Sequence, residues 1–416
     1  MDSTPTARGP GSDRPVGNVA GPPGRAGSGV RTGGTVTLAP PRPDDRRVRG
    51  GHGFPSALGK GRVRGVDGLR TLAVVLVLAY HFVPGPLPGG ALGVDVFFTI
   101  SGFVITRLLL AEFARTGAVG MRSFYWRRWK RLVPALLVVC AVCAVLAGTT
   151  QLRGFEDAWT SIALSATFLV NIVRAAQPGL YTDETALLGH TWSLGVEEQF
   201  YLLWPPFLLL LLLRFRPRTV LLCAVALCLL PVLWRCVLWS PTAAHRIYNG
   251  TDTRADQLLV GALLALVVAR LDPEDPRLAA LRRWAGRLAW PAMGMLALIV
   301  WQVPMTGTST WTVPWYTVGF LVTAVLSATV VAALELRPLS LLSRVLSLAP
   351  LAWTGRNLSY GLYLWHYPLG RLMAGLGLDT WHVPAAVAAT FAAALASHYL
   401  VEKPLTRRKR PQTATT

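Results

Sequence analysis

Acidic residues are scarce in this chain. Its 416 residues hold 21 Asp and Glu against 41 Lys and Arg, a formal charge of +20. No stretch outside the apolar regions interleaves basic with aromatic side chains, which argues against a nucleic-acid surface. The basic residues sit instead in the N-terminal tail, in short loops between apolar runs and in Arg407, Arg408, Lys409 and Arg410. That is the positive-inside pattern of a membrane protein. Cysteine is also sparse. All five (Cys140, Cys143, Cys223, Cys228, Cys236) fall in or beside apolar runs, as small core residues do, and not as a disulfide or metal framework. Cys140 and Cys143 have CxxC spacing but no histidine cluster nearby, so no metal site is expected. No apolar core follows the initiating Met, which excludes a signal peptide. Aromatics are almost missing from residues 1–63, which are rich in Gly, Pro, Arg, Ser and Thr, and the expectation there is a disordered basic cytoplasmic tail. No internal repeat stands out, which counts against inverted-repeat transporters.

What the chain does have is apolar length. Hydrophobic residues make up 52% and charged residues 15%, and runs of about 20 apolar residues, enough for a helix to cross a bilayer core, recur from Leu69 to Val401. Backbone groups in lipid must be satisfied within their own segment, so the spans are helices. The expected fold is an all-α polytopic membrane bundle of about ten transmembrane helices, near 66–84, 91–111, 132–150, 194–213, 218–239, 255–270, 288–304, 313–335, 353–375 and 382–401. Ser161–Val173 is short and carries Asn171. Were it to cross, Arg214, Arg216, Arg218, Arg282, Arg283, Arg287 and the C-terminal basic run would lie outside. Read as re-entrant or interfacial, it leaves all of them inside, with both termini cytoplasmic, and charge favours that over eleven spans. The domains expected are then the tail over 1–63, the membrane domain over 64–406 and a basic tail over 407–416.

Ionisable residues inside such spans need a reason. Arg70 and His81 stand eleven positions apart on one predicted helix, about three turns and roughly 16 Å, and so on nearly one face. In Phe124–Pro134, FYWRRWKRLVP, Arg128, Lys130 and Arg131 flanked by Trp126 and Trp129 suit an anionic, aromatic-bearing ligand arriving from the cytoplasm, or else an interfacial anchor. Glu197 and Glu198 open an apolar run, as a helix N-terminal cap or, since adjacent positions face different ways, with one carboxylate turned inward toward an imidazole or a hydroxyl substrate. Gly89–Leu109 carries Ser101 and Gly102 mid-span, a close helix contact or a polar contact to substrate, and Asp95 near its outer end, an interfacial cap or a site residue. Arg254 and Asp256 open another span and are placed to pair with each other. His366 lies among Tyr360, Tyr363, Trp365 and Tyr367, as a structural or a site residue; His190 is a further candidate, and His52, His245, His382 and His398 are not.

In this order, Arg70 with His81, GVDVFFTISG over Gly93–Gly102, the Arg128/Arg131 pair, WSLGVEEQFY over Trp192–Tyr201, Arg254-Ala-Asp256, Tyr360 with WHYP over Trp365–Pro368 and the closing Val401-Glu-Lys-Pro404 resemble the type-3 acyltransferase family of integral-membrane O-acyltransferases, over about 64–406. The resemblance implies transfer of an acyl group, commonly acetyl, from a cytoplasmic acyl-CoA to a hydroxyl of an envelope glycan or of a macrolide-like metabolite. It implies Arg128 and Arg131 as acyl-CoA contacts, with Trp192, Asp95, Ser101, Arg254, Asp256 and His366 around the substrates. His81 suits a general base, since an imidazole titrates near neutrality. Arg70 would position the CoA portion or a carboxylate, and Glu197 or Glu198 would orient His81 or the acceptor. No tightly bound cofactor is implied beyond acyl-CoA as donor substrate. The expected partners are the bilayer, acyl-CoA and a sugar or glycosylated hydroxyl acceptor, in the cytoplasmic membrane. A dozen or so residues follow Glu402, so a second, extracytoplasmic transferase, if the pathway uses one, is expected to be a separate protein. The rival class is a proton-coupled transporter or flippase of an anionic or glycosylated substrate, using the same buried ionisable groups.

Overall fold

The computed structural model describes residues 61–83, 85–150, 155, 157–177, 186–303, 312–377 and 381–406. The predicted tails, 1–63 except its last three residues and 407–416, lie outside the described residues. Within them the chain is helical, with no strand. In order come α1 (Arg64–Phe82), α2 (Gly93–Thr116), α3 (Met121–Thr149), the short α4 (Ala158–Ala166) and α5 (Val170–Ala176), α6 (Trp192–Arg214), α7 (Pro217–Leu238), the single turn-and-a-half α8 (Ala244–Asn249), α9 (Thr251–Arg270) and α10 (Pro276–Gln302). A turn α11 (Thr312–Pro314) and a π-helical stretch (Trp315–Gly319) lead into α12 (Phe320–Leu336). Then follow α13 (Leu341–Leu346), α14 (Ala349–Asn357), α15 (Ser359–Gly375), α16 (His382–Ser397) and, through a second π turn (His398–Glu402), α17 (Lys403–Thr406).

Each of the ten predicted spans has its helix. Among the described residues, seven helices are long and apolar enough to cross a membrane. The other three predicted spans are α9, which carries Asp252, Arg254 and Asp256, α10, which carries Arg282, Arg283 and Arg287, and α15, which has 17 residues. The predicted re-entrant segment is a bent pair: α4 and α5 meet at 116°. Ser165 Oγ bonds Thr191 Oγ1 at 2.9 Å and Arg174 Nη1 donates to the Gly189 carbonyl at 3.2 Å, which ties the pair to the head of α6.

Contacts between helix ends give the bundle its direction. Thr71, early in α1, donates to the Leu351 carbonyl of α14 at 2.6 Å, while His81, late in α1, meets His366 of α15, so these two stretches run parallel. Asp95 near the start of α2 meets Arg254 near the start of α9, and Arg107 and Glu335 pair at the other ends of α2 and α12. One end of the bundle therefore gathers the starts of α1 and α3 and the far ends of α2, α6, α9 and α12, with Arg64, Arg107, Arg115, Arg122, Arg214, Arg270 and Arg337. The opposite end holds the three clustered histidines.

α2 and α9 cross with their backbones in close approach. A methyl group at Gly102 would stand 1.8 Å from the Leu258 carbonyl oxygen, and one at Gly261 2.0 Å from that of Thr99. The backbones touch because neither position has a Cβ, as the small-residue reading of Ser101–Gly102 expects.

Candidate active site

A cavity of about 670 Å³, its open mouth included, lies between α1, α2, α3, α6 and α15. Three guanidinium groups line it, Arg70, Arg128 and Arg131, together with Glu197, Ser101, Ser193 and Tyr201. Arg128 and Arg131 are three apart on α3 and share a face. Arg127 and Lys130 belong to other faces: Arg127 Nη1 donates to Ser123 Oγ at 3.0 Å, and Lys130 lies over the Trp126 ring at 5.0 Å. Trp126 and Trp129 stack at 5.1 Å and are exposed, so the run divides its labour between cavity and interface.

The glutamates belong to the arginine cavity. Glu197 Oε1 accepts from the Ser101 hydroxyl and, at 2.9 Å, from that of Tyr201 one turn on. Glu198 accepts from Arg128 Nε at 3.1 Å, and the Arg128 guanidinium carbon stands 3.0 Å from the Tyr201 ring centroid. One of them was expected to orient His81 or the acceptor, and neither bonds His81. They lie seven and eight residues past His190, roughly 11 Å along α6 from the histidine end, and their partners are Ser101, Tyr201 and Arg128. The Nε of Arg70 is buried with no hydrogen-bond partner.

At the histidine end, His81 Nδ1 is 3.2 Å from His366 Nε2, and His190 stacks on Tyr367 and meets His366 edge-on, each at 5.1 Å between ring centroids. His366 and His190 are buried, and both ring nitrogens of His190 lack a hydrogen-bond partner. Tyr363 joins this cluster to the cavity. It lines the cavity, donates to the His190 carbonyl and so accepts from Ser193 Oγ, both at 2.5 Å. Arg70 and His81 thus serve the two ends of one polar column, and His81 itself does not line the arginine cavity.

Four other predicted site residues are structural neighbours of one another. Arg254 and Asp256 do not pair: two positions apart on a helix, they point to nearly opposite faces. Arg254 Nη2 donates to Asp95 at 2.7 Å, and its guanidinium lies 3.9 Å from the Phe320 ring, 4.9 Å from Tyr248 and 5.4 Å from Trp192. Trp192 is therefore a wall of the Arg254 cage. Asp256 takes a two-pronged bond from Arg235 of α7, at 2.9 and 2.8 Å, with both side chains fully buried. Arg235 was missed in the sequence, although an arginine inside the apolar run LWRCV was signal enough. Tyr201 and Tyr363 were missed too; each is one turn from a predicted site residue, Glu197 and His366. Asn171, the odd polar residue of the bent pair, bonds Thr251 at 2.9 Å and accepts from Gln199 at 3.0 Å. Cys140 and Cys143 are buried free thiols of the core, whereas Cys236 is exposed.

Comparison with known proteins adds a family. A family model described as an acyltransferase domain matches residues 63–401. The chain is similar to the peptidoglycan O-acetyltransferase OatA of Listeria monocytogenes, 34% identical over 354 residues that cover 82% of this chain and 56% of that protein. It is 35% identical over 316 residues to the O-acetyltransferase OatA of Staphylococcus aureus, covering 73% and 50%, and 33% identical over 356 residues to the putative peptidoglycan O-acetyltransferase YrhL of Bacillus subtilis, covering 82% and 55%. The chain spans about half the length of the curated relatives it matches. No solved structure matches it.

Proposed function

The chain belongs to the acyltransferase family, and from that premise we propose that it is a membrane O-acyltransferase that moves an acyl group, acetyl in the simplest case, from cytoplasmic acyl-CoA to a hydroxyl of an envelope glycan. The observation that carries this reading is the cavity in which Arg70, Arg128 and Arg131 converge, with Glu197 on its wall and Glu198 bonded to Arg128. Forked guanidinium donors in a partly dry site suit the phosphates of a CoA ester. The basic end of the bundle faces the cytoplasm, by the positive-inside rule, and both ends of the membrane domain lie there. The donor then enters beside Arg131, whose side chain is exposed.

The acceptor hydroxyl approaches the histidine end. Its oxygen attacks the thioester carbonyl carbon, His81 takes the hydroxyl proton, the carbon–sulfur bond breaks and the CoA thiolate leaves as the thiol once the proton is returned. The names of the relatives favour a glycan acceptor over a macrolide-like one.

The test is mass spectrometry of envelope glycans and secreted metabolites from cells expressing the wild type or His81→Ala at equal membrane levels. An acyl mass increment confined to the wild type is expected, and the modified molecule names the acceptor. Matching acylated profiles would remove His81 from the chemistry; no acylation by either, with acyl-CoA and candidate glycans supplied, would favour a transport role.

A further inference from the structure

His81 and His366 lie 285 positions apart in the chain, and their hydrogen bonds determine which ring nitrogens carry protons. His366 Nδ1 is 2.7 Å from the Tyr363 carbonyl oxygen. A carbonyl only accepts, so that nitrogen carries the hydrogen and, in the neutral ring, Nε2 carries the lone pair. His81 Nδ1 is 2.9 Å from the Val77 carbonyl oxygen, so it too is an N–H. The same Nδ1 is 3.2 Å from His366 Nε2. The His81 N–H is therefore shared between a backbone carbonyl and an imidazole lone pair, which leaves Nε2 of His81 as its basic atom. The groups around the pair are Tyr80, Phe82, His190, Tyr363 and Tyr367.

We propose that His366 is the positioning residue for His81. Its Nε2 accepts the His81 Nδ1–H, orients the ring so that Nε2 of His81 faces the acceptor hydroxyl, and steadies the imidazolium formed when that atom takes the proton. The proposal rests on His81 as the base. The arrangement is that of a triad, in which a buried acceptor holds a histidine through its Nδ1–H, with a neutral imidazole in place of the carboxylate. A neutral partner suits this depth, because no second charge has to be buried in the membrane before the proton moves. His366 meets the requirement of a fixed partner: it is 0% exposed and anchored by its own i−3 carbonyl.

Two measurements on the full chain in bilayers test this. With ring-¹⁵N histidine, the wild type is expected to show a through-hydrogen-bond coupling between His81 Nδ1 and His366 Nε2; its absence overturns the proposal whatever the activity. In the transfer assay, His366→Leu is expected to lower kcat by about 100-fold with KM for acyl-CoA changed less than about twofold. His366→Gln, whose side-chain oxygen offers an acceptor near the place of Nε2, is expected to recover about tenfold of that loss. Equal losses in both variants, or a rise in KM, would make His366 a packing residue and overturn the proposal. A wild type that shows the coupling yet transfers no acyl group overturns the base reading itself, and with it the catalytic half of the proposal.

Discussion

The Arg128 guanidinium is held from two sides, over the ring of Tyr201 at 3.0 Å and against Glu198 at 3.1 Å, whereas Arg131, three residues on, lines the same cavity with no ion pair among the described residues. The two arginines of one motif are therefore unequal. Arg131→Ala removes a donor to the ligand and little else, so KM for acyl-CoA is expected to rise about 10- to 100-fold, the worth of one or two charge-assisted hydrogen bonds, with unchanged protein level. Arg128→Ala also leaves Glu198 without its partner, and lower thermal stability in detergent should accompany the loss of binding. Titrating initial rate against acyl-CoA beside a melting curve separates the two.

The cavity carboxylate is held by two hydroxyls. Ser101→Ala leaves Glu197 only Tyr201, and a loss of about 0.5–1.5 kcal/mol of interaction predicts a several-fold fall in transfer rate with normal membrane levels. A variant as active as the wild type would make Ser101 a packing residue alone.

The buried pair Arg235–Asp256 and the half-exposed pair Arg246–Asp252 give opposite expectations. Asp256→Ala strands a fully buried guanidinium and is expected to destabilise by about 3–5 kcal/mol, abolishing the folded protein at growth temperature. Asp252→Ala breaks a pair whose side chains are 34% and 45% exposed and is expected to cost less than about 1 kcal/mol. Fluorescence-detected thermal unfolding of the two variants measures the contrast.

At the crossing of α2 and α9, Gly102→Leu drives a side chain into the Leu258 backbone, where no rotamer change relieves it. The expected loss is at least the 1–3 kcal/mol of an overpacked core, with poor membrane accumulation. Gly294→Ala, on α10 with open space around it, serves as the control and should accumulate normally.

Helices and their rough ends were legible because they depend on local composition: a run of about 20 apolar residues has one way to satisfy its backbone in lipid. The segment of α4 and α5 was legible as irregular from its short apolar run and Asn171, and the bend of 116° between them came only from the packing. The arginines of α3 were legible as a group, and the three-residue spacing of Arg128 and Arg131 determined that they share a face.

Partners across the bundle were not legible. Nothing local tells Asp256 that Arg235 of α7 is its counter-ion, or Arg254 that Asp95 waits on α2, because a buried charge takes whichever opposite charge the packing brings within reach. The partners of Glu197 and Glu198, expected to be His81 or the acceptor, were not legible for the same reason: depth along α6 puts the two carboxylates beside Ser101, Tyr201 and Arg128, two turns from the imidazoles. By itself the sequence determined the membrane helices and the roster of ionisable residues that had to be accounted for. Only the close approach of α1 and α15 decided that His81 meets the imidazole of His366, since that depends on the rotation of both helices about their own axes, which no apolar run encodes.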